Sequence, residues 1–309
     1  MPTSLQQHAR VWRPGFDLDV AATLSALRRG TGDPAYTQDR DGAIWWAVRT
    51  PEGTAGLRLT TDRGLGEVRA AAWGSGAGWM LDRLPQTLGA ADELDGFEPR
   101  HPLLAESLRR HHGWRVPCTG LVFEATMPAI LEQKVTGQEA WLGWRRLLRG
   151  YGDRAPGPLG ERGMVVPPSP HTVRMIPSWA WLKMRIDPAR SRALVTAARV
   201  AEALERTMGL PGPEVERRLR SLPGIGVWTA AEIRQRAHGD ADAVSFGDYH
   251  VAKNVTWALT GEAGDDAAMA ELLEPYRPHR FRVQRLLELS RVGPPRRGPR
   301  MAPRTHLPG

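Results

Sequence analysis

Along the first hundred residues apolar and polar positions alternate in short runs. AIWWAVRT (43–50) and AGLRLT (55–60), parted by the turn residues PEG, and then GEVRAAAW (66–73), have the length and the β-branched or aromatic content of strands. Asp19 to Arg29 (DVAATLSALRR) and GWMLDRLPQTLG (78–89) repeat their apolar residues at helical spacing, the second broken at Pro85. From LLAESLRRHHG (103–113) onward the pattern is mostly helical. In VFEATMPAILEQKVTGQEAWLGWRRLLRGYG (122–152), Ile130, Val135, Ala140, Trp141 and Trp144 recur at roughly that spacing. A proline-rich connector, APGPLGERGMVVPPSPHTV (155–173), leads to DPARSRALVTAARVAEALERT (187–207), where Asp187 and Pro188 make an N-cap and first-turn pair. PEVERRLRSLPGIGVWTAAEIRQRAHG (213–239) and DDAAMAELLEPYRPHRFRVQRLLELSRV (265–292) complete the helical part. The pattern predicts a mainly α chain with an N-terminal α+β domain: a small sheet domain over 1–99, a boundary near Pro99, a helical body over 100–292 and a tail over 293–309.

Composition narrows the class. Hydrophobic residues make up 41% and charged residues 25% of the 309, with a mean hydropathy of −0.40, as in an ordinary soluble globular protein. No apolar run approaches the ~20 residues of a membrane span, and MPTSLQQHARVWRPGFD has no apolar core of a secretory signal. A cytoplasmic protein, lying with the nucleoid of a bacterium, is expected. The single cysteine, Cys118, excludes an intrachain disulfide, a four-cysteine zinc site and a cysteine-held iron–sulfur cluster. His111, His112 and His250 lack metal-ligand spacing, so neither a zinc site nor another cofactor is expected. The formal charge is +8, and setting aside Arg296, Arg297, Arg300 and Arg304 in the acid-free tail leaves the body at +4. Such a tail cannot bury apolar surface and is expected to be disordered. It could attract phosphate, and it could equally be a solvated extension. Trp179 and Trp181 in PSWAWLKM read as core residues.

The sharpest local signal is LPGIGVW (222–228). Pro223 closes one helix, and Gly224 and Gly226 bracket one apolar residue. Two glycines permit a hairpin with positive φ, after which the amides opening the next helix face outward as a nest for an anion such as a phosphate. The same five residues also suit a plain turn between two helices. LPGIG alone gives the two readings similar weight.

The wider context separates them. LPGIGVWTAAEI (222–233) with VSFGDYHVAKNV (244–255), whose aspartate follows the hairpin by about twenty residues, resembles the helix–hairpin–helix (HhH-GPD) DNA glycosylase superfamily, and most closely its 3-methyladenine DNA glycosylase II (AlkA-like) branch. MPAILEQKVTGQEAW (127–141) is similar to the segment that lies against DNA in that superfamily. The resemblance runs loosely from Phe16 to Val292 and implies a two-lobed helical body with the hairpin at 222–230, plus a small sheet domain. It implies a monomeric, monofunctional base-excision enzyme acting on double-stranded DNA that contains damaged bases, alkylated purines above all. Asp248 takes the place of the catalytic aspartate: a carboxylate there stabilises the positive charge that builds on the sugar and can orient water. Without the hairpin, Asp248 would read as a helix N-cap. Gly224, Ile225, Gly226, Val227 and Thr229 fall in the DNA-anchoring hairpin. Its carbonyls could hold a monovalent cation, as in relatives. Gln133, Lys134 and Lys253 are further DNA-contact candidates.

Trp228 stands where bifunctional relatives carry a Schiff-base lysine, and an indole cannot form one. Trp228 and Tyr249 are candidates to stack on an extruded base. Relatives place an apolar or amide wedge where this chain has Lys134, which suits a phosphate or an orphaned base better. Glu232, Glu288 and, roughly, Leu24 occupy positions where AlkA-like relatives carry pocket aromatics. The two glutamates would make the pocket more polar or acidic. Two alternatives follow: a glycosylase for an oxidised, deaminated or bulky base, and a noncatalytic protein that binds damaged DNA.

Overall fold

The computed structural model describes residues 6–295; the tail arginines Arg296, Arg297, Arg300 and Arg304 lie outside the described residues. Five antiparallel strands, β1 (His8–Trp12), β2 (Tyr36–Gln38), β3 (Ile44–Thr50), β4 (Gly53–Asp62) and β5 (Glu67–Trp73), pair in the order β1-β5-β4-β3-β2. The register sets Trp46 opposite Leu57 and Val48 opposite Ala55. Because side chains alternate across a strand, β3 and β4 send Trp46, Val48, Leu57 and Leu59 to one face and Trp45 and Ala47 to the other. The first face shares a core with α1 (Val20–Leu24), α2 (Ala77–Asp82) and α3 (Leu84–Thr87). Both faces are covered, so β3 reads as a nearly continuous apolar run.

The sequence reading of 19–29 as one helix is shortened: α1 ends at Leu24 and passes into a single 3₁₀ turn over Ser25–Leu27. After α4 (Pro102–Arg110) the chain enters the first helical lobe with α5 (Val122–Leu131) and α6 (Gly137–Tyr151). These are two helices, where the apolar pattern suggested a single segment. The break is chemical: Thr136 accepts the amide of Glu139 while the Glu139 carboxylate accepts that of Thr136, a capping box that starts α6 afresh. The N-terminus of α5 has no local cap. Its Val122 and Phe123 amides donate instead to Glu205, 2.9 and 2.8 Å away.

The proline-rich connector is structured. β6 (Asp153–Arg154) and β7 (Val165–Val166) form a short hairpin around α7 (Pro158–Glu161), and Leu159, Met164 and Val166 cover the second face of the sheet against Trp45 and Trp73. The first lobe continues through α8 (Pro170–Met175), α9 (Ser178–Lys183), α10 (Pro188–Arg199), α11 (Ala201–Glu205), α12 (Gly212–Arg220) and α13 (Val227–Ile233), packed around Ile130, Trp144, Trp181 and Leu194. Trp181 is core as expected, but Trp179 is 59% exposed, with Lys183 Nζ 4.7 Å from its ring centre. A second lobe gathers α14 (Val251–Thr260), α15 (Asp266–Leu273) and α16 (Arg280–Ser290) with the returning α4 around Leu104, Trp114, Met269 and Phe281. The loop between α3 and α4 is locked onto α16 by a buried ion pair: Asp92 and Arg282, 3% and 1% exposed at their side chains.

Where the sheet domain meets the first lobe, a cavity of about 40 Å³ is lined by Arg29, Asp33, Tyr36 and Glu124 among others. Burial pushes the Glu124 carboxyl up to about 8, against the pull of the Arg49 amide 2.8 Å away. Among the described residues no helix is long and apolar enough to cross a membrane.

Candidate active site

The hairpin of residues 222–226 joins α12 to α13. Gly224 has φ 89°, a conformation glycine adopts freely, and a Cβ there would stand 2.7 Å from Ala193 on α10. The expectation of a matching role for Gly226 is corrected: its φ is −93°, any residue could adopt it, and nothing lies within 4 Å of a Cβ built there. Gly226 is the N-cap of α13 and offers no side chain to close the first turn. Val227 opens that helix, while Ile225 is buried in the first lobe's core. Gln133, on the turn after α5, donates through Nε2 to the Gly224 carbonyl and to Thr229 Oγ1, both at 2.8 Å. The two segments singled out as DNA-contacting are thus tied together. Lys134, the next residue, is exposed and has φ 53°.

Asp248 precedes α14. Its Oδ1 accepts the His250 and Val251 amides at 2.8 and 3.1 Å, and its Oδ2 accepts the indole N–H of Trp228 at 3.1 Å. The carboxylate is therefore gripped from two helices, as a helix-terminal cap and by a hairpin residue together. It opens onto a cavity of about 340 Å³ walled by residues of the sheet domain and of both helical lobes. Trp114, Trp141, Trp228 and Phe281 supply aromatic surface, from a loop, α6, α13 and α16; Ala26 belongs to the sheet domain.

The wall opposite the rings is polar and directional. Ser245 Oγ donates to Glu232 Oε1 at 2.7 Å, and Gln235 and Gln284 donate to Ser245 Oγ at 2.9 and 3.1 Å. Arg236 Nη1 meets Glu232 Oε2 at 2.7 Å. Gln284 and Arg285 take the two oxygens of Glu288 at 2.9 and 3.0 Å. Burial opposes the charge on Arg236, but Glu232, Glu132 and Glu288 around it hold its pKa above the ordinary arginine value. Glu232 and Glu288 do line the cavity, yet each is matched by an arginine, so the wall is polar without the acidity expected of two added glutamates.

Two pocket candidates lie elsewhere. Leu24 is fully buried in the sheet-side core, because α1 turns it toward Val20 and the strands. Tyr249 is 72% exposed, its ring edge-on to His250 and under Lys253 Nζ at 4.7 Å, so both Tyr249 and Lys253 stand outside the cavity. Trp141, Trp114, Phe281, Gln235, Arg236 and Gln284 line it without having been singled out; only the helical spacing of Trp141 hinted at an ordered face. No cluster of three metal-ligating side chains occurs among the described residues.

No protein-family model and no curated protein matches the sequence. Solved structures do match it, and the fold is that of the helix–hairpin–helix DNA glycosylases. The 3-methyladenine DNA glycosylase of Archaeoglobus fulgidus superposes with a TM-score of 0.73 at 15% identity, over 91% of this chain and 98% of that one. The 8-oxoguanine glycosylase/lyase of Clostridium acetobutylicum superposes at 0.69 with 12% identity, over 93% and 98%. The same enzyme bound to double-stranded DNA with cytosine opposite 8-oxoguanine also reaches 0.69, at 11% identity over 93% and 97%.

Proposed function

We propose that the protein is a monofunctional DNA glycosylase that draws a damaged base, an alkylated purine in the first instance, from duplex DNA and hydrolyses its N-glycosidic bond. The observation that carries this reading is Asp248, held by the Trp228 indole and two backbone amides at the mouth of an aromatic-lined cavity. A cavity of about 150 Å³ accommodates benzene, so about 340 Å³ leaves room for a two-ring base and its substituents. Stacking on Trp228, Trp141 and Phe281 suits an electron-poor, alkylated ring. As the bond breaks, positive charge grows on the sugar, and Asp248 stabilises it while orienting the attacking water. The hairpin amides and Gln133–Lys134 would anchor the phosphates without reading sequence.

Monofunctional chemistry is supported by the lining itself. Among its residues there is no lysine, and Trp228 fills the position from which relatives offer an amine. The similar solved structures are named as 3-methyladenine and 8-oxoguanine glycosylases, which supports trying both kinds of base first. The polar wall of Glu232, Ser245, Gln284 and Arg236 favours a second reading, a base with exposed donors and acceptors such as an oxidised purine.

The test is base release from methylated duplex DNA, followed by alkali to cut abasic sites. Release by wild type with breaks only after alkali supports the first reading. Release only from an oxidised-purine duplex supports the second, and binding to damaged duplex with no release of any base overturns both in favour of a noncatalytic binder.

A further inference from the structure

Two basic residues on loops of the first lobe have left-handed backbones, Lys134 at φ 53° and Arg185 at φ 61°. That conformation is unfavourable for any residue with a Cβ, and glycine is the usual occupant. Arg185 sits at the position just past α9. Its amide donates to Leu182 and that of Ile186 to Trp181, at 2.9 and 3.0 Å, the paired bonds that end a helix on a left-handed residue.

The two residues are neighbours through a buried third. Arg190, 3% exposed, donates from Nη1 to the Leu131 carbonyl at 2.8 Å and from Nη2 to the Arg185 carbonyl at 3.3 Å, while its Nε is anchored on Asp187. The end of α5 and the end of α9 are thereby drawn to one guanidinium. Gln133 fastens the same end of α5 to Gly224, and Ala193 of α10 lies beneath that glycine. The Lys134 loop therefore borders the hairpin, and the Arg185 loop is connected to both through Arg190 and α10. Neither Lys134 nor Arg185 makes a side-chain hydrogen bond or ion pair among the described residues, and Arg185 Nε is shielded from solvent without an acceptor. Other arginines of the first lobe, such as Arg190, Arg217 and Arg218, are paired with carboxylates.

We propose that Lys134 and Arg185 form a paired cationic clamp on the DNA phosphates flanking the position vacated when a nucleotide is drawn into the cavity. The proposal rests on the glycosylase reading above. Extruding a nucleotide unstacks its neighbours and bends the backbone there. An apolar side chain can hold that opening by filling it. Here two unpartnered cations on adjoining loops hold it from the phosphates, displacing counterions as they bind.

Glycine substitution separates this role from a structural one, because it relieves the backbone and removes the charge together. Lys134→Gly, Arg185→Gly and the double variant are compared with wild type on a duplex carrying a stable abasic-site analogue and on intact duplex, across a salt series. Each glycine is expected to raise Tm by about 2 °C and to weaken abasic-duplex binding about tenfold. The slope of log K against log salt becomes shallower by about 0.9 per residue, intact duplex is affected less, and Arg185→Lys restores the slope. A higher Tm with unchanged affinity and slope overturns the clamp and leaves both residues as helix ends. Wild type binding abasic duplex no better than intact duplex overturns the glycosylase reading, visibly without any variant, and the clamp with it.

Discussion

The indole of Trp228 donates to Asp248 at 3.1 Å, linking the helix that follows the glycine hairpin to the acid twenty residues later. The hairpin thus positions the acid as well as offering amides. Asp248→Asn keeps an oxygen for the His250 and Val251 amides and loses the charge. Base release should fall by about 10²–10³-fold with Tm nearly unchanged. Trp228→Phe keeps a ring in the cavity but removes the donor, and release should fall about tenfold. Single-turnover rates on one lesion duplex measure both, and equal losses in the two variants would contradict this division of roles.

The two hairpin glycines should respond oppositely. Gly224→Ala meets Ala193 and a φ of 89°, so it should destabilise the protein by about 1–3 kcal/mol. Gly226→Ala finds open space and an ordinary φ, so stability should change by less than about 0.5 kcal/mol. Urea titration of both variants checks this.

Glu232 has two jobs, forming the cavity wall and neutralising Arg236. Glu232→Ala strands a buried guanidinium and should cost about 3 kcal/mol. Glu288 is more accessible, and Glu288→Gln should leave the fold intact. If base preference is the same in wild type and Glu288→Gln, the polar wall does not select the substrate.

Stability should depend on pH through two buried groups working in opposite directions. Glu124 keeps its proton in the native state up to about 8, whereas an unfolded glutamate loses it near 4.5. Across that window the native state binds more protons, so this group lowers stability as pH rises, by at most about 1.4 kcal/mol per pH unit. Burial holds His238 neutral down to about 4, against an ordinary 6.5. Between those values the unfolded state binds the extra proton, so this group lowers stability as pH falls through 6.5 toward 4. Urea midpoints from pH 4 to 9 should show Glu124→Gln removing the decline between about 6.5 and 8, and His238→Gln extending that decline down to about 4.5, because in wild type the two groups oppose each other below 6.5.

What the sequence revealed was local. Gly224, Trp228 and Asp248 lie within one stretch whose spacing was legible in the sequence, and the strands of 43–73 follow from β-branched and aromatic runs set between turn residues. The aromatic lining was hidden because Trp114, Trp141 and Phe281 come from elements far apart in the chain, and nothing in their local pattern separates a cavity-facing ring from a core one. Leu24 failed for a related reason: a rough alignment position does not say which way a one-turn helix rotates. The hairpin of β6 and β7 was read as connector because its two-residue strands are too short to establish a period.

The cavity draws Ala26, Trp141 and Phe281 from the sheet domain, the first lobe and the second lobe. Arg236 Nε reaches the Ala26 carbonyl at 3.1 Å and Arg285 reaches Ser25 Oγ at the same distance, so two residues of the wall also fasten the sheet domain to the helices. Occupancy is therefore felt by the whole molecule. A base seated there would act as a mortar between the three bodies whose residues wall it. Filling the cavity should therefore raise the melting temperature of the protein as a whole.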